Sequence, residues 1–590
     1  VTSAQERAQQ FLNQEKAFRL GALLTEASHP KTQQLSQTAQ QDLPAAIRML
    51  QSVDAEIPPA AHNVFQQESF KHLVKAFLTA LESGRKIYFT GCGATGRLSI
   101  LLEAAWRNFW QGFKQTTPKQ DTKNFDREDC VFSVMAGGDY ALIKSVEGFE
   151  DFTNFGRYQI QQAGVNRDDV VVAVTEGGET SFVIGTAWQG LESGAQVFFV
   201  YNNPTDLLCK HVQRSREIIK EPRIVKIDLT TGPMAITGST RMQATTIELL
   251  VIAAALETAL LQFLQNRLSF ARWEQLKFCL RPAQEYHQLF QQLLDELTTD
   301  TSIKTLARLT QFEETIYRNS GLVTYLTDAF LLDVLTDTTE RSPTFMLHPF
   351  RKNDDNISPR PWAFVKDPFR PTPVAWSNLL RRPPRGLTWK QDVYKKLGAP
   401  GALQQQPPQL DNEEIYKFQI GSEPDPTRTD TPDSALVIIS VGEDTSKLIQ
   451  VGREKFLTGF NKTALVTIGP DTTLSFDGEL FSFPCDLPAS PLRLWHHLAV
   501  KLILNTISTA TMVLMDRVIG NTMVWLSPSN KKLIDRGTRL IALHAGCSYE
   551  QACIMLHKTL EEVQQHAQTG EDVPSPVAQA LKRLGYQHPK

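Results

Sequence analysis

The stretch "YFTGCGATGRLSILLEAAWRNFW", residues 88–110, decides the fold. Ile87 to Thr90 reads as a buried strand that runs into a glycine-rich turn. From Arg97 onward the apolar spacing is that of a long amphipathic helix. Gly91, Gly93 and Gly96 let the backbone turn tightly and take positive φ, and Thr95 adds a hydroxyl. A helix behind such a turn offers free N–H groups and its positive dipole end, the layout that holds a phosphate. The GxxxxGK[ST] pattern is missing, so this is not a P-loop. Taken alone, a plain glycine turn closing a strand–helix unit explains the stretch equally well.

Further units lie downstream. Ser69 to Leu81 has helical spacing. "CVFSVMAGG", "DVVVAVTEGGETSFVIGTAW", "AQVFFVYNNP" and "PRIVKIDLTT" each supply a strand, and "STRMQATTIELLVIAAALETALLQFL" an apolar helix. Strands alternating with helices predict a parallel α/β sheet whose ligands sit beyond the carboxyl ends of the strands. Two more loops combine glycines with hydroxyls: Thr175, Gly177, Gly178 and Thr180 in one, Gly238, Ser239 and Thr240 in the other. Ser239 or Thr240 could equally be a helix N-cap. Neutral hydroxyls and backbone N–H groups suit a sugar phosphate. With no Walker lysine or carboxylate cage, nucleotide hydrolysis is disfavoured.

A weaker repeat follows in "GLVTYLTDAFLLDVLTD", "SALVIISVGEDTSKLIQ", "TALVTIGPD" and "LFSFPCDLP". No glycine–hydroxyl loop is evident in it, so this half is expected to be structural or a docking surface. The Pro- and Arg-rich run from about 350 to 420 predicts an irregular insertion. The Gln-rich first 64 residues read as a helical arm. A chain of 590 residues predicts about three to four folding units. Net charge −3 excludes an electrostatic case for nucleic acid or an acidic membrane. Seven scattered cysteines form no CxxC pair, which reads as reduced thiols without a zinc site. With no signal core or membrane-length run noticed, the expected location is cytoplasmic. No cofactor or metal is expected.

Five segments together resemble one family. "LTEASHPKTQQLSQ", "GCGATGRL", "MAGGDYALIKSVEGFEDF", "ITGSTRMQATT" and "DRVIGNTMVWLSPSNKKLIDRGTRLIALHAGCSYEQA" are similar, in order, to segments of the sugar isomerase (SIS) family that includes N-acetylmuramic acid 6-phosphate etherase and glucokinase regulatory protein. The resemblance implies two tandem SIS domains with flavodoxin-like parallel sheets and a helical C-terminal cap. The divisions expected are a 1–64 arm, a sugar-phosphate-binding SIS domain at 65–285, a degenerate one at 286–520, and a 521–590 cap. It implies a site made of Gly93, Thr95, Gly96, Glu150, Thr175, Gly177, Ser239, Thr240 and Lys532, for a hexose phosphate or amino-sugar phosphate.

The etherases of this family use two glutamates, an acid at the ether oxygen and a base at C2. Glu150 falls on the base position. Ala105 falls where the acid would be, and Glu103, two residues earlier, faces elsewhere on a helix. One of two loop hydroxyls is lost at Ala94. Glu176 and Glu179 are unusual beside a phosphate, and Glu147 and Asp151 read as solvated or helix-capping. The missing acid favours a regulator that resembles glucokinase regulatory protein, its ligand controlling a partner such as a sugar kinase. The alternative is a divergent lyase, catalytic through Glu150 with Glu103 or Glu176 as substitute acid. A third is a binding protein with neither output.

Overall fold

The computed structural model describes residues 3–117, 125–146, 148–442, 445–456, 458–470, 475–567 and 575–586. Two five-stranded sheets form its frame. The first joins β1 (Ile87–Gly91), β2 (Val131–Met135), β3 (Val170–Thr175), β4 (Gln196–Tyr201) and β5 (Ile224–Asp228) in the order β2-β1-β3-β4-β5. Every pairing is parallel, with Ile87 opposite both Val131 and Val170. Strand β3, VVVAVT, is buried throughout, as a strand covered by helices on both faces must be.

The second sheet joins β6 (Val323–Leu326), β7 (Ala363–Lys366), β8 (Ala435–Val441), β9 (Lys462–Gly469) and β10 (Glu479–Pro484) in the order β10-β9-β8-β6-β7, again all parallel. Counted from its own first strand, this order repeats that of the first sheet. The chain is therefore α/β, with two parallel sheets of one topology and a helix-rich C-terminal region.

Two expectations about the second half are corrected. The 350–420 segment is not wholly irregular: it supplies edge strand β7 and the helix Thr372–Leu380. Pro361 and Pro368 flank β7 rather than interrupt it, and a short edge strand tolerates that. A glycine–hydroxyl turn is also present. Ser440 Oγ and Thr445 Oγ1 lie 2.8 Å apart after β8, as Thr175 Oγ1 and Thr180 Oγ1 lie 3.0 Å apart after β3. Gly442 and Gly178 take positive φ, +60° and +73°, in the two turns.

The helices that matter for the site are α1 (Ala94–Thr116), α2 (Ser181–Glu192), α3 (Gln243–Gln265), α4 (Leu331–Phe345), α5 (Leu494–Leu514) and α6 (Lys531–Ala545). By length and apolarity α3 and α5 could each cross a membrane, which the sequence reading did not register. In this fold 89% of each apolar window is buried inside the protein. They are shared core: one hydrophobic cluster runs from Phe89 and Val172 through Leu256 and Leu498 to Val323 and Val437. The two halves are thus joined by an interior rather than a surface contact, since apolar area removed from water is the main favourable term. The helix Ala4–Gln14 does not project. Ala8, Phe11 and Leu12 of the helix Ala4–Gln14 pack on Cys553 of the C-terminal region.

Candidate functional site

A cavity of about 220 Å³ lies at the carboxyl ends of β1 and β3, where the strand order reverses. Two neighbouring cavities are about 30 and 40 Å³, room for little more than water. The main cavity is lined from the first half by Gly93, Arg97, Glu150, Glu176, Ser239, Thr240 and Arg241. Glu340, Pro343 and Thr344 of α4 close it from the second half, and Asn530, Lys532 and Arg536 of the C-terminal segment cover it. Among the described residues no group of three or more His, Cys, Asp or Glu is placed to hold a metal ion.

Helix α6 carries the cover. Asn530 is its N-cap: the side chain accepts from Leu533 N at 2.8 Å and donates to Glu150 Oε2 at 3.2 Å. Two residues on, Lys532 Nζ lies 3.0 Å from Glu150 Oε1 and 3.2 Å from Glu179 Oε1. Burial disfavours the ammonium, but Glu150 and Glu179 outweigh it and raise Lys532 well above its ordinary value. Burial would raise Glu179, and Lys532 and Arg214 hold it low instead.

Glu176 is the contrasting carboxyl. It is 9% exposed, and burial pushes it up to about 7, with the negative charge of Glu150 adding to the rise. Lys532 and a hydrogen bond with Thr240 work against the shift without cancelling it. Two carboxyl groups in one cavity thus have opposed environments, one bonded to an ammonium and one raised by burial toward neutral pH.

The other two acid positions lie elsewhere. Glu103 is fully buried, on the far face of α1. Its carboxylate meets Arg107, Arg382 and Arg385 and accepts from Ser133 Oγ at 2.6 Å. Burial would raise it, but Arg382, Arg385, Ser133 and Arg107 hold it down to about 2, so it keeps no proton to give. Its work is to fix the Arg-rich insertion to the first sheet, together with the Arg382–Asp139 pair. Ala105 lines the small cavity of about 30 Å³ and not the main one.

Of the residues predicted for the site, Gly93, Glu150, Ser239, Thr240 and Lys532 line the main cavity. Ser239 and Thr240 cap no helix, since α3 begins at Gln243 with Met242 as N-cap. Thr95 turns inward: its hydroxyl accepts from Cys92 N and donates to Cys92 O, both at 3.0 Å. Thr175 bonds Thr180. Gly96 lies in the first turn of α1, where a Cβ would come within 2.6 Å of Met135 Cγ, and Gly177 lies in the turn after β3. Asp151 is half-buried, and burial with Glu150 raises it to about 6. Glu147 lies outside the described residues.

Sequence reasoning missed Arg97, Arg241, Glu340, Asn530 and Arg536. Two of them were in plain view, each directly behind a glycine–hydroxyl loop. It also missed what the "LTEASHPKT" segment does. Thr25 O accepts from Gly238 N at 3.0 Å, Thr25 and Asn203 exchange bonds, and Asn203 reaches Gly177 O at 3.0 Å. Glu26 takes Arg536 Nε at 3.0 Å and Arg539 Nη2 at 2.7 Å. Burial opposes this carboxylate, but the two arginines bring it to about 2. The segment therefore ties both loops to the cover. Gly238 has φ +75°, and a Cβ there would lie 2.5 Å from Arg536 Nε, so only glycine fits.

A family model described as the glucokinase regulatory protein N-terminal SIS domain matches residues 69–189. Over these residues the chain is similar to a SIS domain. Its relatives include N-acetylmuramic acid 6-phosphate etherases. That of Clostridium acetobutylicum is 30% identical over 207 residues, 35% of this chain and 60% of the relative. That of Actinobacillus pleuropneumoniae serotype 7 is 25% identical over 233 residues, 40% of this chain and 67% of the relative. That of Yersinia pestis (strain Pestoides F) is 28% identical, covering 40% and 69%. The chain thus spans about two thirds of the length of the curated relatives it matches. Among solved structures, tagatose-6-phosphate ketose/aldose isomerase from Escherichia coli aligns with TM-score 0.41 at 9% identity, over 81% of this chain and 94% of that one.

These relatives correct the expectation of a kinase regulator. The curated names are etherases, and glucokinase regulatory protein enters only as the label of a SIS domain over 121 residues, 69–189. Ala105, at the position expected for the acid, does not line the main cavity.

Proposed function

We propose that the protein is a carbon–oxygen lyase acting on a sugar phosphate of the N-acetylmuramic acid 6-phosphate class. The observation that carries this is the opposed pair Glu150 and Glu176 in one cavity. Elimination of an ether needs a base for the proton at C2 and an acid for the departing oxygen. The Glu150 carboxylate, oriented by Lys532 and Asn530, takes the C2 proton. The pair left at C2 forms a double bond to C3 as the C3–O bond breaks with its electron pair on oxygen, and that oxygen takes the Glu176 proton and leaves as lactate. Burial raises Glu176 to about 7, so the group still has a proton to give near neutral pH. The etherase relatives support the reaction class, and the loops around Gly93, Ser239 and Thr240 suit a sugar phosphate.

The test is lactate release from N-acetylmuramic acid 6-phosphate by the full chain. Wild type should release it, and Glu150→Gln and Glu176→Gln should each lose about 10²–10⁴-fold in kcat. No release by wild type, with the sugar phosphate shown to bind, would overturn the reading.

A further inference from the structure

The insertion of the second half holds one wall of the cavity from behind. That wall includes Ala136, Ala141, Ser145, Phe149 and Glu150. Near its start Asp139 N donates to Arg385 O at 3.1 Å, the Asp139 carboxylate pairs with Arg382, and Tyr140 meets Phe418 edge to face. At its end Trp389 stacks on Phe149, the ring centres 5.5 Å apart and the planes 23° from parallel. Just past Glu150, Asn154 Nδ2 donates to Leu397 O at 3.3 Å. The Arg-rich insertion thus grips, at both ends, the segment that carries Glu150.

Trp389 is the centre of the second grip. It is buried, and its indole Nε1–H donates to Gln162 Oε1 at 2.6 Å. Gln162 ends the helix Thr153–Gln162, and Phe155 and Tyr158 of that helix meet the indole edge to face at 5.7 and 5.3 Å. The indole therefore touches both that helix and Phe149, and such ring pairs fix position as well as burying area. Phe149 directly precedes Glu150. The Glu150 carbonyl accepts from Phe182 N at 3.1 Å, which fixes the peptide after Glu150, while the ring of Phe149 fixes the residue before it. Trp389 itself lines none of the cavity. Its effect on chemistry runs through the place of Glu150, where a shift on the order of 1 Å costs about 10²-fold in rate.

We propose that Trp389 is a positioning residue for Glu150. This rests on the lyase reading above and adds a support for its base besides Lys532 and Asn530. It gives the insertion a role in turnover: the second half sets the backbone of Glu150 through one indole, and substitutions more than two hundred positions from Glu150 act on its carboxylate.

The test pairs lactate release from N-acetylmuramic acid 6-phosphate with hydrogen–deuterium exchange, both on the full chain. In Trp389→Leu kcat should fall by about tenfold to 10²-fold while KM stays within about threefold, as displacement of the base alone requires. Amides from Gly148 to Ile160 should exchange about tenfold faster, with those of α3 unchanged. Trp389→Phe keeps a ring against Phe149 and should bring both readouts back to within about threefold of wild type. Trp495→Leu alters a buried indole stacked on Tyr286 instead, and should lower the urea midpoint with kcat unchanged. Wild-type kcat and exchange in Trp389→Leu would overturn the proposal, as would an equal fall of kcat in Trp495→Leu at matched stability. Should Trp389→Leu fail to fold, Gln162→Met removes only the acceptor of the indole N–H and decides by the same two readouts. No lactate from wild type would sink the lyase reading alone, since exchange still tests the hold of Trp389 on Glu150. Lactate release with turnover and exchange both unchanged in the variant would sink this assignment alone.

Discussion

Lys532 Nζ lies 3.0 Å from Glu150 Oε1, a contact between residues 382 positions apart in the chain. With Glu179 at 3.2 Å on its other side, the ammonium joins the cover helix to two loops of the first sheet. Lys532→Met leaves Glu150 without its cation and Glu179 with Arg214 alone, in a largely buried setting. Removing one partner of a buried pair costs about 3–5 kcal/mol. Urea unfolding should show a loss of that order, trimmed by the partial exposure of Lys532 and Glu150. Lactate release should fall at least as far as in Glu150→Gln, because the base loses its orientation. A variant with wild-type turnover would remove Lys532 from the mechanism.

The raised value of Glu176 sets a pH signature. Its folded value, about 7, lies above the ordinary glutamate value of about 4.3. Between them the folded state holds a proton that the unfolded chain releases. The stabilising contribution is therefore complete below about pH 4 and is lost as pH rises through about 7. Turnover needs the same proton, so kcat should fall above about pH 7. Glu176→Gln should flatten this part of the stability curve and remove that limb from the residual rate. A limb that survives the substitution belongs to another group.

Glu103 carries the opposite sign. Its folded value, about 2, lies below the unfolded one, so its contribution is full above about pH 4 and lost as pH falls toward 2. Glu103→Gln should destabilise the fold by about 3–5 kcal/mol at pH 7, since Arg382 and Arg385 lose their shared partner. Affinity for N-acetylglucosamine 6-phosphate should stay within twofold of wild type. A large loss of affinity at preserved stability would give Glu103 a place in the site.

Much of this was legible in the chain itself. The strands of the first sheet stand where the apolar runs put them, most plainly β3, VVVAVT, which is buried throughout and apolar up to its last residue. Glycine positions marked the turns, since Gly93, Gly178 and Gly238 take φ values that other residues resist. Thr95 shows the limit of that reading. A hydroxyl in a glycine loop can serve a ligand or the turn itself, and only the direction of its bonds, here to Cys92, tells which.

Local sequence determined the two α/β units, the glycine turns and the family resemblance, because these depend on periodicity and backbone sterics within a few residues. Tertiary structure alone decided the charge states and the company of the acids. Glu103 and Glu176 are the same residue type on the same half. One meets three arginines and is held near 2, while the other is buried beside Glu150 and rises to about 7. Arg382, Arg385, Glu340, Lys532 and Glu26 come to these places from segments hundreds of residues apart. Electrostatic energy depends on distance and burial in space, which spacing along the chain does not encode.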